Sequence, residues 1–245
     1  MKTAITWICG LTLALASHSA LALDGEAILR EVDRNLQPES FESYRKLVNI
    51  EPDGKQREYT LFTVKKGRDK IASLFIAPAS EKGRATLRLG DNMWLYIPNV
   101  AKPVRVTSLQ SVIGGLFNNA DILRLDYSVE YDVKNIEETG DTYVLDLKAK
   151  TGLVAYDRLK MTVDRKDMVP TEIECYAASG MLIKTLHFKE IKAFDDGARK
   201  PAVTETDSPL YKGYRSLLIL AKMKKSELPD EAFTLNFLPK LETLR

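Results

Sequence analysis

Few side chains in this sequence are equipped for chemistry. It has two histidines, His18 and His187, and two cysteines, Cys9 and Cys175. A serine hydrolase needs a nucleophile, a base and an orienting acid. His187 lies among aliphatic residues in Leu182–Phe188, and no G-x-S-x-G elbow precedes it, so a plain strand histidine is expected. Cys175, between Glu174 and Tyr176, has no sequence neighbour that would hold a thiolate and reads as a half-buried structural thiol. Zinc needs three or four imidazole or thiolate ligands, which this chain lacks. EF-hand spacing, a phosphate-binding glycine loop and H-E-x-x-H are absent too. The carboxylate groupings Glu137-Glu138, Asp195-Asp196 and Glu205 with Asp207 are the type used on glycosides, but they fall at turns, where acids are usually solvated. Lys65-Lys66 and Lys222-Lys224-Lys225 are short basic runs that suit exposed faces. The expectation is a binding protein rather than an enzyme, with no catalytic residue, metal or cofactor.

Composition agrees. The 245 residues are 44% hydrophobic, 29% charged and 8% aromatic, as in an ordinary globular chain. Thirty-six basic against 34 acidic side chains leave +2, without the basic excess of a nucleic-acid binder. The N-terminus has the grammar of a bacterial signal peptide: Lys2, an apolar run from Ile5 to Ala16 too short to span a bilayer, and Ala20-Leu21-Ala22. Cleavage of residues 1–22 is expected to leave a single domain, 23–245, that is periplasmic, soluble and monomeric. Cys9 lies inside the apolar run behind Trp7-Ile8, the wrong place for lipidation. Only Cys175 and His187 survive cleavage, so no disulfide can form within the mature chain.

The elements that must position any binding site are mostly strands. Asp24 as N-cap and the stripe Ile28, Leu29, Val32 and Leu36 predict a helix ended by Pro38. Strands are then predicted at 41–51, 55–66, 70–77, 85–89, 93–97 and 104–107, with turns such as Pro52-Asp53-Gly54 between them. After an interruption they resume at 131–137, 143–150, 155–164, 171–177, 181–193 and 202–206. Ser216–Ala221 reads as a strand buried on both faces, and Leu228–Phe233 as a helix start. Such spacing suggests a large antiparallel sheet, barrel or sandwich.

The interruption has helical periodicity, with Leu109, Val112, Ile113 and Leu116 on one face, softened by Gly114-Gly115. It is either a plug for one end of a barrel or a lid over an apolar cavity. Met93–Ile97 carries apolar residues on both faces and is expected to be covered on both sides.

The order of features resembles the LolA-like outer-membrane lipoprotein-sorting family. The resemblance is carried by Ser80-Glu81-Lys82-Gly83-Arg84 leading through Leu87 to Met93-Trp94-Leu95-Tyr96-Ile97-Pro98, then Lys102, Arg105 and Asn119-Ala120-Asp121-Ile122. It continues through Tyr156–Asp164, Pro170-Thr171-Glu172, Tyr176, Gly180 and Lys184 to Leu228-Pro229-Asp230 before Phe233-Thr234. The W-x-Y-x-P block is its most specific piece. The resemblance implies a mainly β fold: a half-open antiparallel β-barrel whose concave face is covered by short helices. It also implies a carrier that binds lipid or lipoprotein acyl chains in an apolar cavity and delivers them toward the outer membrane. Its partners would be an inner-membrane exporter as donor and an outer-membrane acceptor. An envelope sensor or accessory scaffold of an export complex is the alternative use of the same fold. The expected acyl contacts are Leu87, Leu89, Met93, Trp94, Tyr96, Val112, Ile113, Leu116, Phe117, Ile122 and Leu123.

Overall fold

The structure is a computed structural model that describes residues 24–100, 102–195 and 197–245; the expected signal peptide lies outside them. It opens with α1 (Gly25–Leu36), capped by Asp24, whose carboxylate accepts from the Ala27 amide at 3.0 Å. A six-stranded meander follows: β1 (Phe41–Ile50), β2 (Gln56–Lys66), β3 (Lys70–Ala77), β4 (Ala85–Leu89), β5 (Asn92–Tyr96) and β6 (Val104–Val106). Two single-turn helices, α2 (Asn119–Ile122) and α3 (Tyr127–Glu130), precede the second run of strands. These are β7 (Tyr131–Thr139), β8 (Thr142–Ala149), β9 (Arg158–Asp164), β10 (Val169–Tyr176), β11 (Leu182–Ala193), β12 (Arg199–Asp207) and β13 (Arg215–Lys225).

All thirteen strands form one antiparallel sheet in the order β6-β5-β4-β3-β2-β1-β13-β12-β11-β10-β9-β8-β7. The last strand closes against the first, so the two meanders join at β1–β13, and β6 and β7 are left as edges. A flat sheet of this size would be about 60 Å wide at 4.8 Å per strand. Yet Leu61, Ile71, Phe75 and Met93 from one wing share a core with Leu145, Leu159, Met161 and Ile173 from the other. The accumulated right-handed twist has therefore curled the sheet, and the result is a half-open barrel.

The inner face is covered by α1, which buries Leu29, Val32 and Leu36 and packs against α3, β7, β10 and β12, and by the segment running through α2 and α3. The outer face of β2–β5 carries a second core. Phe62, Val64, Leu74, Ala85 and Leu87 are roofed there by Leu228 and by Phe233, Leu238 and Leu241 from the 3₁₀ turns Asp230–Phe233 and Leu238–Leu244. Asp230 fastens this roof to Lys70 (2.9 Å) and Lys66 (3.2 Å).

Two expectations change. Residues 108–118 form turns and one isolated bridge, Ser111 to Asn118, rather than a helix. Ile113 and Gly114 lie at φ of 52° and 67°, which ends any right-handed helix, and Leu109 is exposed. The glycines serve another purpose: a Cβ on Gly115 would overlap the Asn49 side chain, so the segment approaches β1 more closely than a larger residue allows. β13 is not buried on both faces. Ser216, Leu218 and Leu220 face inward, whereas Leu217 and Ile219 are half-exposed on the outer face, beyond the reach of the C-terminal roof.

Candidate functional site

The inner core does not fill the barrel. A cavity of about 100 Å³ opens between the sheet and its covers. Its walls are Leu159, Ile173, Cys175, Leu186 and Phe188 from β9–β11, Ala202 and Thr204 from β12, and Leu218, Leu220 and Met223 from β13. The covers contribute Leu36 from α1 and Phe117, Ala120, Tyr127 and Tyr131 from the segment through α2 and α3. At roughly 10–15 Å³ per water, this volume holds on the order of eight waters, or a comparable number of methylenes.

The cover is tied down by polar contacts at its rim. Buried Lys184 donates to the Leu116 carbonyl (2.6 Å) and to Asp121 (2.5 Å). The Tyr156 hydroxyl donates to Asp121 (3.0 Å) and accepts from Asn118 (2.8 Å). Ser216 Oγ accepts from the Leu116 amide at 3.1 Å and donates to Asn49 at 2.8 Å. On the far side of α2, Asp33 of α1 accepts from the amides of Tyr127 (2.7 Å) and Ser128 (2.9 Å), binding α1 to α3. Burial pushes the Asp33 carboxyl above its ordinary value, and the Ser128 amide and the charge of Arg124 pull partly against that.

Cations facing inward are mostly matched. Lys65 pairs with Asp126 at 2.5 Å, Lys184 with Asp121, and Arg88 with Glu130. Burial works against the Asp126 carboxylate, but the charge and hydrogen bond of Lys65, with Gln37, outweigh it and hold the group below 3.8. Arg45 and Arg124 also line the cavity, and among the described residues neither has a carboxylate within ion-pair distance. Arg45 stands over the Phe41 ring at 6.0 Å, and Arg124 over Tyr127 at 4.8 Å. Enclosure, and then the like charge of Arg124, pull the Arg45 guanidinium down to about 10, so it is cationic at neutral pH.

Of the acyl contacts expected from sequence, Phe117 lines this cavity. Met93, Val112, Ile122 and Leu123 belong to the same inner core, with Ile113 packed against it, and Val112 and Ile122 border a smaller space of about 10 Å³ near Phe75. Leu116 is half-buried and contributes mainly its backbone. Leu87, Leu89, Trp94 and Tyr96 lie on the outer face with the C-terminal roof, so the sheet separates them from the cavity. The expected covering of Met93–Ile97 on both sides holds in part: Met93 and Leu95 are buried inward and Trp94 and Tyr96 are partly buried outward, but Ile97 is exposed.

Arg45 and Arg124 were not among the expected contacts. For Arg45 the signal was present: Phe41, Ser43, Arg45, Leu47 and Asn49 share one parity of β1, which puts a charge in an inward row. Arg124 lies in irregular chain, where no periodicity points.

The remaining reactive groups do not converge on the cavity mouth. His187 is on the outer face of β11, between Glu172 (3.2 Å) and Asp207 (3.1 Å), and no hydroxyl or thiol bonds to it. Cys175 is fully buried rather than half-buried, and burial pushes its thiol up, away from the reactive thiolate. Among the described residues no group of His, Cys, Asp and Glu could hold a metal ion, and no helix is long and apolar enough to cross a membrane.

A family model described as "Uncharacterized protein" matches residues 67–240. No curated protein matches the chain. Among solved structures, a LolA superfamily protein from Nitrosomonas europaea is similar at 27% identity and a TM-score of 0.80, covering 88% of this chain and 100% of its own. A domain from Vibrio parahaemolyticus described as an outer membrane lipoprotein-sorting protein is 19% identical with a TM-score of 0.73, covering 88% and 98%. A DUF1329 family protein from Desulfovibrio piger is 22% identical with a TM-score of 0.76, covering 87% and 97%. The last two establish likeness of fold alone. A family model spanning most of the chain, and a superposition of 88% of it on the Nitrosomonas protein, identify this chain as a member of the family of that model and of the LolA-like superfamily.

Proposed function

We propose that this protein is a periplasmic carrier that takes an acyl chain of a lipid or lipoprotein into the inner cavity and delivers it toward the outer membrane. The observation that carries the reading is an apolar-walled space left unfilled inside the half-open barrel, roofed by a short segment instead of by more sheet. Each buried methylene contributes about 0.8 kcal/mol, so an acyl chain of about fifteen is worth roughly 12 kcal/mol gross. That is enough to hold cargo without a covalent step. The cavity as it stands accepts only part of such a chain, so full entry needs the 108–124 cover to shift, which subtracts from affinity and aids release. Phe117 is the contact on that cover. The leader at 1–22 supports the periplasmic address, and a donor exporter and an outer-membrane acceptor complete the route.

Native mass spectrometry of protein purified from periplasm is expected to find co-purifying lipid, and added fluorescent acyl probes are expected to bind saturably. Protein that carries no lipid and binds no probe would overturn the proposal.

A further inference from the structure

We propose that the cavity takes an anionic amphiphile, with the carboxylate or phosphate headgroup held inside the barrel by Arg45 and Arg124. The inference rests on the carrier reading and names the cargo class for the same cavity.

The argument starts from charge balance on the inner face. Lys65, Lys184 and Arg88 each meet a carboxylate there, as buried cations ordinarily do. Arg45 does not. Its cross-strand partners are Leu61 on β2 and Leu220 on β13, and its side chain makes no hydrogen bond among the described residues. Arg124 has only a long contact to the Leu125 carbonyl, 3.5 Å, besides the Tyr127 ring. The acids nearest to Arg124 are already engaged: Asp33 by two backbone amides, and Asp126 by Lys65 and Gln37. Asp121 and Glu130, which also border the cavity, are committed to Lys184 and Arg88.

Local backbone geometry supports Arg45's placement: the pairing of β1 with β2 runs without a shift from Phe41 to Ile50, so strict alternation puts Arg45 on the inner face with Leu47 and Asn49. Two guanidiniums that repel each other across an apolar space gain from an anion between them, and a guanidinium's forked donors fit carboxylate or phosphate oxygens. The neighbouring walls, Phe117, Leu159, Leu186 and Leu218, would take the first methylenes of the attached chain.

The test uses delipidated full-length mature protein and three probes sharing one chain: dodecanoate, dodecyl phosphate and dodecanol. The acids are expected to bind about tenfold or more tighter than the alcohol, the effect of charge-assisted hydrogen bonds in a water-poor site. Whichever acid binds tighter identifies the headgroup. Arg45→Gln is expected to bring the affinity for that acid down to that of dodecanol, Arg124→Gln to lower it partway, and Arg45→Lys to keep most of the preference. Arg57→Gln, on the exposed Arg57–Glu51 pair, serves as control and is expected to keep it all. Unfolding midpoints close to wild type would show that the variants are folded. Equal wild-type binding of the acids and the alcohol would overturn this inference while leaving the carrier reading standing. An acid preference surviving Arg45→Gln and Arg124→Gln together would overturn it as well. Binding of none of the three probes would remove both.

Discussion

Single side chains in the inner face do two kinds of work. Asp33 is the clearest structural case: a buried acid on the apolar face of α1 whose two oxygens accept from adjacent amides of α3. Asp33→Ala leaves both donors buried without partners and is expected to cost about 2–4 kcal/mol in denaturant unfolding. Asp126 gives a pH signature. Its carboxyl is held below its ordinary value in the folded protein, so the stabilisation from its contacts is full well above the ordinary carboxylate range and is lost as pH falls through the folded value. Asp126→Asn is therefore expected to be less stable than wild type at pH 7, with the gap narrowing below about pH 4. A gap that is constant from pH 7 to pH 3 would mean that the charge of Asp126 contributes nothing. Both residues escape a reading by periodicity, because each looks like an ordinary polar position until its partner, about 90 residues away in sequence, is known.

The element whose behaviour decides function is the cover between β6 and β7. Its sequence has helical periodicity, and its glycines suggest softness, yet the chain takes turns, fastened at both ends by side chains from the sheet. Lys184 is the main fastener, satisfying the Leu116 carbonyl and Asp121 from β11. Lys184→Met leaves Asp121 buried without its cation and is expected to cost about 3–5 kcal/mol. Amide exchange should accelerate first across 108–124; uniform acceleration over the whole sheet would mean that the cover does not open as a unit. Phe117→Ala is expected to cost about 3–5 kcal/mol through the enlarged cavity. It should also shift the preferred acyl probe to longer chains, as read by competition between probes of different length. Unchanged length preference would mean that Phe117 does not bound the occupied space.

At the scale of the molecule, one curled sheet carries two cores with different tasks. The inner one is incomplete and contains the cavity. The outer one is complete, and the last nineteen residues, 227–245, close it. Leu87→Ala, in the outer core, is expected to lower stability by about 2–5 kcal/mol without altering acyl binding per folded molecule. Binding lost beyond the unfolded fraction would place the outer face in the path of the cargo. Ending the chain after Ser226 strips the roof from Phe62, Leu74 and Leu87, and such protein is expected to elute as soluble aggregates in size-exclusion chromatography.

The sequence by itself determined the local grammar: where α1 starts and stops, where thirteen strands fall, and that catalytic side chains are scarce. Capping residues, turn tripeptides and two-residue alternation act over a few positions, so they can be read from neighbours. It also placed Met93–Tyr96 between two apolar layers, although the next residue, Ile97, is exposed. Only the tertiary structure decided which layer was which. Alternation says that Trp94 and Met93 point opposite ways, but the curl of the twisted sheet made Met93 inward and Trp94 outward. Alternation along β1 puts Arg45 in an inward row, but only the closed structure shows that, among the described residues, no acid meets it there. Whether a buried charge has a partner depends on residues brought from distant parts of the chain. That is a property of the closed molecule, and no spacing within a strand records it.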